Sequence, residues 1–180
     1  MLISAAVLVP VVVALLVLVN VVGRSSGGAG GTPVADVSGA TADPRGNLPP
    51  VQVTTPDVTP AADLACPVLM SQLPLELAGE TSRLVDSASP FAYAWGDPAV
   101  VLVCGVAPPA GYVAGASAIV INGVSWFVDT SDPHTVVWTT VDRTVPVQMQ
   151  VPASTDSALV TAASPIIATA IPYTEPSPAG

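Results

Sequence analysis

Apolar and polar positions divide the chain into three regimes. Met1 to Val22 carries no charged side chain, and as a helix Leu2 to Val22 rises roughly 31 Å, enough to cross a bilayer core. From residue 24 to residue 60 the bulky apolar positions thin out, and Gly, Ser, Thr and Pro take over in stretches such as GRSSGGAGGTP and NLPPVQVTTPDVTP. Such a segment buries too little surface to offset its ordering entropy, which predicts a disordered linker. Apolar residues then return at strand and helix spacings over residues 61–173, and residues 174–180 form a flexible tail. The expected organisation is a transmembrane anchor or uncleaved signal over 1–23, a linker over 24–60, and one folded domain over 61–173.

Within the domain, Cys66 to Leu73 predicts a short helix with Pro67 in its first turn, where a missing N–H costs nothing, and Pro74 ends it. Ala99 to Val106 is a nearly continuous apolar run of strand length, which predicts a central strand buried on both faces. Asn122-Gly123, between Ile119-Val120-Ile121 and Val124-Ser125-Trp126-Phe127-Val128, supplies the two positive-φ positions of a type I′ hairpin. Val136 to Val141 and Thr144 to Val151 are further strands, or one long strand bent at Asp142-Arg143. Pro146 predicts an edge position or a bulge there. Ser154, Thr155 and Asp156 offer N-cap groups for a helix carrying Leu159, Ala163, Ile166, Ile167 and Ala170 on one side, kinked or delayed by Pro165. The fold class is α+β, with a mainly antiparallel sheet of four or five strands and a helix near each end.

Charge narrows the partners. The net charge is -9, all four basic residues are arginine, and only Arg83 and Arg143 lie beyond the linker. Nucleic acid is bound by clustered cations, so it is excluded as a partner. The lone positive charge beside the apolar segment is Arg24, which on its own places the following chain in the cytoplasm. The cysteine pair and the linker favour the extracytoplasmic side, and that is the expected topology: a single-pass membrane protein with its domain outside. A signal peptidase cut near Ala29 is the alternative to a retained anchor.

A set of local motifs then resembles a family: Cys66-Pro67 with Leu73-Pro74, Ser89-Pro90-Phe91 running to Trp95-Gly96-Asp97-Pro98, Cys104-Gly105-Val106, Asn122-Gly123-Val124 with Trp126, and Val141-Asp142-Arg143. Together they look like an actinobacterial group of exported or membrane-anchored proteins catalogued as domain of unknown function 3515, over about residues 63–172. The resemblance implies an envelope protein, often with a basic leader before its anchor; none precedes Leu2 here. It brings no activity and no catalytic residue.

The chemical candidates therefore stand on their own. In an exported domain, Cys66 and Cys104 are expected to form a structural disulfide, since their spacing is not that of a C-x-x-C redox pair. Asp129, Asp132 and His134 are a candidate cation site or acid–base set, set against the reading of a solvated hairpin turn. Trp95, Trp126 and Trp138 with Arg143 are candidates for a ligand or partner surface, set against the core for the aromatics; Arg143 could clamp a carboxylate or pair with a nearby acid. Glu76, Glu80 and Asp86 around Arg83 suggest a solvated face. Gly115-Ala116-Ser117-Ala118-Ile119 misses the last position of a G-x-S-x-G elbow, and neither a P-loop nor a dinucleotide fingerprint is present. No cofactor and no resident metal are expected.

The reading that results is a non-enzymatic envelope protein that docks on a membrane-protein or cell-wall partner. A small-ligand or wall-fragment binding module is the alternative, followed by a metal-assisted hydrolase. An exposed apolar patch supports the first, a pocket with Trp126 or Trp138 and Arg143 the second, and convergence of Asp129, Asp132 and His134 the third.

Overall fold

A computed structural model describes residues 48–178. The predicted anchor, most of the linker, and the last two residues of the tail lie outside the described residues. Among those described, no helix is long and apolar enough to cross a membrane.

Among the described residues, ten strands and two helices follow one another: β1 (Val51–Val53), α1 (Pro60–Gln72), β2 (Glu76–Leu77), β3 (Glu80–Arg83), β4 (Val85–Ser87), β5 (Ala92–Trp95), β6 (Val100–Cys104), β7 (Ile119–Ile121), β8 (Val124–Asp129), β9 (Thr135–Thr140), β10 (Val147–Pro152) and α2 (Ala158–Ala170). Eight strands form an antiparallel sheet in the order β2-β3-β5-β6-β10-β9-β8-β7, and β1 pairs with β4 in a separate parallel ribbon. The fold is α+β and mainly antiparallel, as the hydrophobic pattern predicts. The large sheet has eight strands where four or five were expected. Among the additional ones, β2 and β3 are two and four residues long and too short to leave a periodic signature.

The predicted central strand is β6, whose five residues are all buried. Its two faces enter different cores. Val100, Leu102 and Cys104 join the main core with Trp95, Trp126, Met149 and the inner faces of both helices. Val101 and Val103 point the other way and pack with Ala94 and with Val53 of β1. This second cluster moves the start of the ordered domain. Residues 48–59, expected as linker, contain a strand whose valines cover the back of the sheet, and Arg83 holds their entry point by donating to the carbonyl oxygens of Pro49 at 3.0 Å and Gly96 at 2.9 Å. Arg83 is therefore a half-buried fastener rather than part of a solvated face.

Three prolines behave differently from expectation. Helix α1 begins at Pro60, behind an N-cap in which Thr59 Oγ1 accepts from the Ala62 N–H at 3.2 Å. Pro67 therefore sits inside the helix. The carbonyl it frees, four residues back at Asp63, lies on an exposed stretch open to solvent. Pro146 lies just ahead of β10 rather than within an edge strand, and β10 is central, between β6 and β9. The Asp142-Arg143 region is accordingly a turn between two paired strands, not a bend in one.

Pro165 does not delay α2, which starts seven residues before it and runs through it. The carbonyl deprived of its partner is that of Thr161, and the side-chain amide of Asn122 donates to it at 3.0 Å. The same Asn122, at φ 46°, and Gly123, at φ 80°, form the predicted hairpin turn between β7 and β8. One side chain thus closes a turn and repairs a helix 39 residues away.

Candidate functional site

Cys66 of α1 and Cys104 at the end of β6 are bonded, with Cα atoms 5.8 Å apart. Both are buried in the main core, so the bridge staples the first helix to the centre of the sheet.

The aromatic candidates separate. Trp95 and Trp126 are fully buried. Each satisfies its indole N–H internally, Trp95 to the Pro74 carbonyl and Trp126 to Ser164 Oγ, both at 3.0 Å. Trp138 stands edge-on to Trp126 at 6.5 Å and packs against the core from its half-buried position. None of the three lines the cleft that contains Arg143.

Asp129, Asp132 and His134 are all exposed. Asp129 accepts from the Ser131 backbone N–H at 2.9 Å, and Asp132 accepts from the His134 N–H at 2.8 Å. Each carboxylate closes a local turn. Hydrogen bonds from the Ser131 backbone and then its side chain hold the Asp129 carboxyl below its ordinary 3.8. Among the described residues, no group of three or more His, Cys, Asp or Glu side chains could hold a metal ion.

Asp142 and Arg143, both buried, form a polar knot in the β9–β10 turn. Asp142 Oδ2 accepts from the Ser125 N–H at 2.8 Å, and Arg143 Nη2 donates to the Gly123 carbonyl oxygen. The two side chains face each other with Nε and Oδ1 3.5 Å apart, outside hydrogen-bond geometry. The C-terminal segment is fastened to the same turn: Thr144 N–H donates to Pro172 O, Thr174 N–H to Asp142 O, and the Tyr173 ring lies 5.9 Å from the guanidinium carbon. The motif that carried the family resemblance therefore ties together the hairpin, the β9–β10 turn and the chain end. Beside it opens a cleft of about 230 Å³, to which Arg143 contributes a wall.

A second concavity, of about 400 Å³, has an almost wholly apolar lining. Ala61, Leu64, Ala65 and Val68 of α1 form one side, with Val145, Ala170 and Pro172 opposite. These four α1 positions fall at i, i+3, i+4 and i+7, the spacing of one helix face. A different face, Ala62, Cys66 and Leu69, already packs into the core. Helix α1 is thus apolar on two sides, and the outer stripe is open, with Leu64 80% and Val68 45% exposed. The sequence reading missed this stripe because it started the helix at Cys66; Thr59-Pro60, a cap residue followed by a first-turn proline, was the available signal.

Fold and surfaces together define a small disulfide-stapled α+β domain with an open apolar helix stripe and a cleft lined by Arg143. The chain belongs to the family described as "Protein of unknown function (DUF3515)", which matches residues 5–176 and so takes in most of the N-terminal apolar segment as well as the domain. Neither a curated protein nor a solved structure matches it.

Proposed function

We propose that the protein is a non-enzymatic accessory component of an actinobacterial cell envelope, held to the membrane by its N-terminal apolar segment with the domain on the extracytoplasmic side. The domain docks on a membrane-protein partner, and the contact is a helix of that partner laid along the outer stripe of α1. The observation that carries this reading is the second apolar face of α1. A helix exposing Leu64 and Val68 beside a groove walled by Val145, Ala170 and Pro172 leaves apolar surface uncovered where a helix-in-groove contact fits. Among the described residues the groove lining has no charged side chain, so the matching surface is apolar. The buried disulfide supports an oxidising compartment. The hydrolase reading has no such support, since Asp129, Asp132 and His134 are each spent on or beside their own exposed turns.

The test is a photo-crosslinking residue placed at position 64 in the full-length chain, expressed in an actinobacterial host, with position 154 as control. The expected result is an adduct at 64 and not at 154, whose crosslinked peptide maps to an apolar helical stretch of one membrane protein, and which the L64E/V68E double variant abolishes. Equal adducts at both positions, or an undiminished complex in the double variant, would overturn it. Protease added to intact spheroplasts should remove the domain; protection would place it inside.

A further inference from the structure

We propose that the cleft beside Arg143 is a receptor for the terminal carboxylate of a peptide chain. A guanidinium has five N–H donors. In Arg143, only 6% exposed, hydrogen bonding to the described residues accounts for Nη2 alone, through the Gly123 carbonyl. Nε is buried without a hydrogen-bond partner, whereas Nη1, which makes no hydrogen bond to a described residue, is not among the buried unpartnered atoms. With Nε turned to Asp142 and one Nη2 hydrogen on Gly123, the donors left for an acceptor are those of Nη1 and the second hydrogen of Nη2. Asp142 faces the Nε edge, and its other oxygen is committed to the Ser125 N–H, so it does not occupy the Nη1 end.

The position of the group is fixed in advance. Its contact with Gly123 and the Tyr173 ring over its carbon hold the fork still, which lowers the ordering cost of recognition. A fixed guanidinium recognises a planar carboxylate through paired N–H donors.

The rest of the cleft selects the kind of carboxylate. Among the described residues, Arg143 and Glu175 are its only charged lining residues, and these two balance. With a net charge of -9 on the chain, a multiply charged anion is repelled. Pro108, Pro109 and Pro146 with Tyr112 supply apolar walls behind the cation. A volume of about 230 Å³ holds the last residue or two of a chain with small side chains, not a large ligand. One negative charge on an otherwise neutral, small, extended molecule is what remains, and a peptide end has that composition.

The probes are N-acetyl-Ala-Ala with a free carboxylate, the same dipeptide as its C-terminal amide, and acetate. Each is titrated against the full-length protein in lipid nanodiscs by ligand-observed NMR. The expected result is saturable binding of the acid with a Kd on the order of 0.1–1 mM, the scale of a single charge-assisted contact with little apolar burial. The amide and acetate should bind at least about tenfold more weakly, since each lacks one half of the recognised group. Arg143→Lys keeps the charge but loses the fork, and should weaken the acid about tenfold or more at a temperature where its melting curve shows the variant still folded. Glu175→Gln is independent of that buried position; removing the like charge should tighten the acid by about two- to fivefold. Equal binding of acid and amide, absence of saturable binding, or a Glu175→Gln variant that binds no tighter would overturn the proposal. Acetate binding as well as the dipeptide would overturn the peptide assignment and leave a simple anion subsite. Crosslinking through Leu64 is unaffected by any of these outcomes.

Discussion

Asn122 has two separable duties, and a substitution can divide them. Asn122→Gly keeps the positive φ that the hairpin turn needs and removes only the amide that donates to the Thr161 carbonyl. The expected cost is about 0.5–1 kcal/mol, read as a lower denaturant midpoint at an unchanged m-value. Asp142 is costlier to lose, because its carboxylate accepts from a backbone N–H in a buried setting: Asp142→Ala should destabilise by about 2–3 kcal/mol in the same assay. Asp129 responds to acid. With its folded pKa held below 3.8, it adds stability above that value and loses it as the pH falls through the folded pKa. Carbon-detected NMR should show it titrating low, and still low in Ser131→Ala, because the backbone N–H is the larger cause. At this scale the sequence reveals local chemistry and hides distant chemistry. Asn122-Gly123 announces its turn, whereas nothing local shows that the amide will meet a carbonyl orphaned by Pro165. Likewise Asp129 and Asp132 were legible as turn formers, while the rigid setting of Arg143 depends on Tyr173 and Gly123, 30 and 20 residues away.

Helix α1 shows what periodicity does and does not reveal about an element. Leu69 points inward, so Leu69→Ala should cost about 2–5 kcal/mol. Leu64→Glu, on the outer stripe, should leave folding stability within about 0.5 kcal/mol while removing the partner contact. A melting curve and the crosslinking assay read on both variants separate a packing stripe from a docking stripe. The doubly buried β6 was legible, because an unbroken apolar run of strand length reports burial directly. The start of α1 was not, because Pro67 suits a first turn as well as the exposed interior position it holds. Pro146 misled for a related reason: a proline is excluded from a central strand but not from the position just before one. The shortest strands, such as Glu76–Leu77 and Glu80–Arg83, exist because neighbours pair with them, a non-local cause.

For the whole molecule, the largest departure from the sequence reading is the second cluster behind β6. A chain beginning at Ala61, the boundary that composition suggests, would leave Ala94, Val101 and Val103 without Val53 and lose the Arg83–Pro49 bond. It should aggregate or melt well below a chain beginning at Leu48, as differential scanning calorimetry would show. Reduction provides a second global test. The loop closed by Cys66 and Cys104 contributes roughly 4 kcal/mol by chain-entropy arithmetic, so reductant should lower the melting temperature by on the order of 10 °C. The same bridge has a mechanical consequence. Tension entering at Leu48 meets β1 first, then the opening turns of α1, elements held by weak bonds that open and close again. At Cys66 the peeling stops, because from there the load passes covalently to Cys104 in the middle of the sheet. A pull on the N-terminal side can therefore unravel no more than the 18 residues from Leu48 to Ala65 before it reaches a bond that thermal forces do not break.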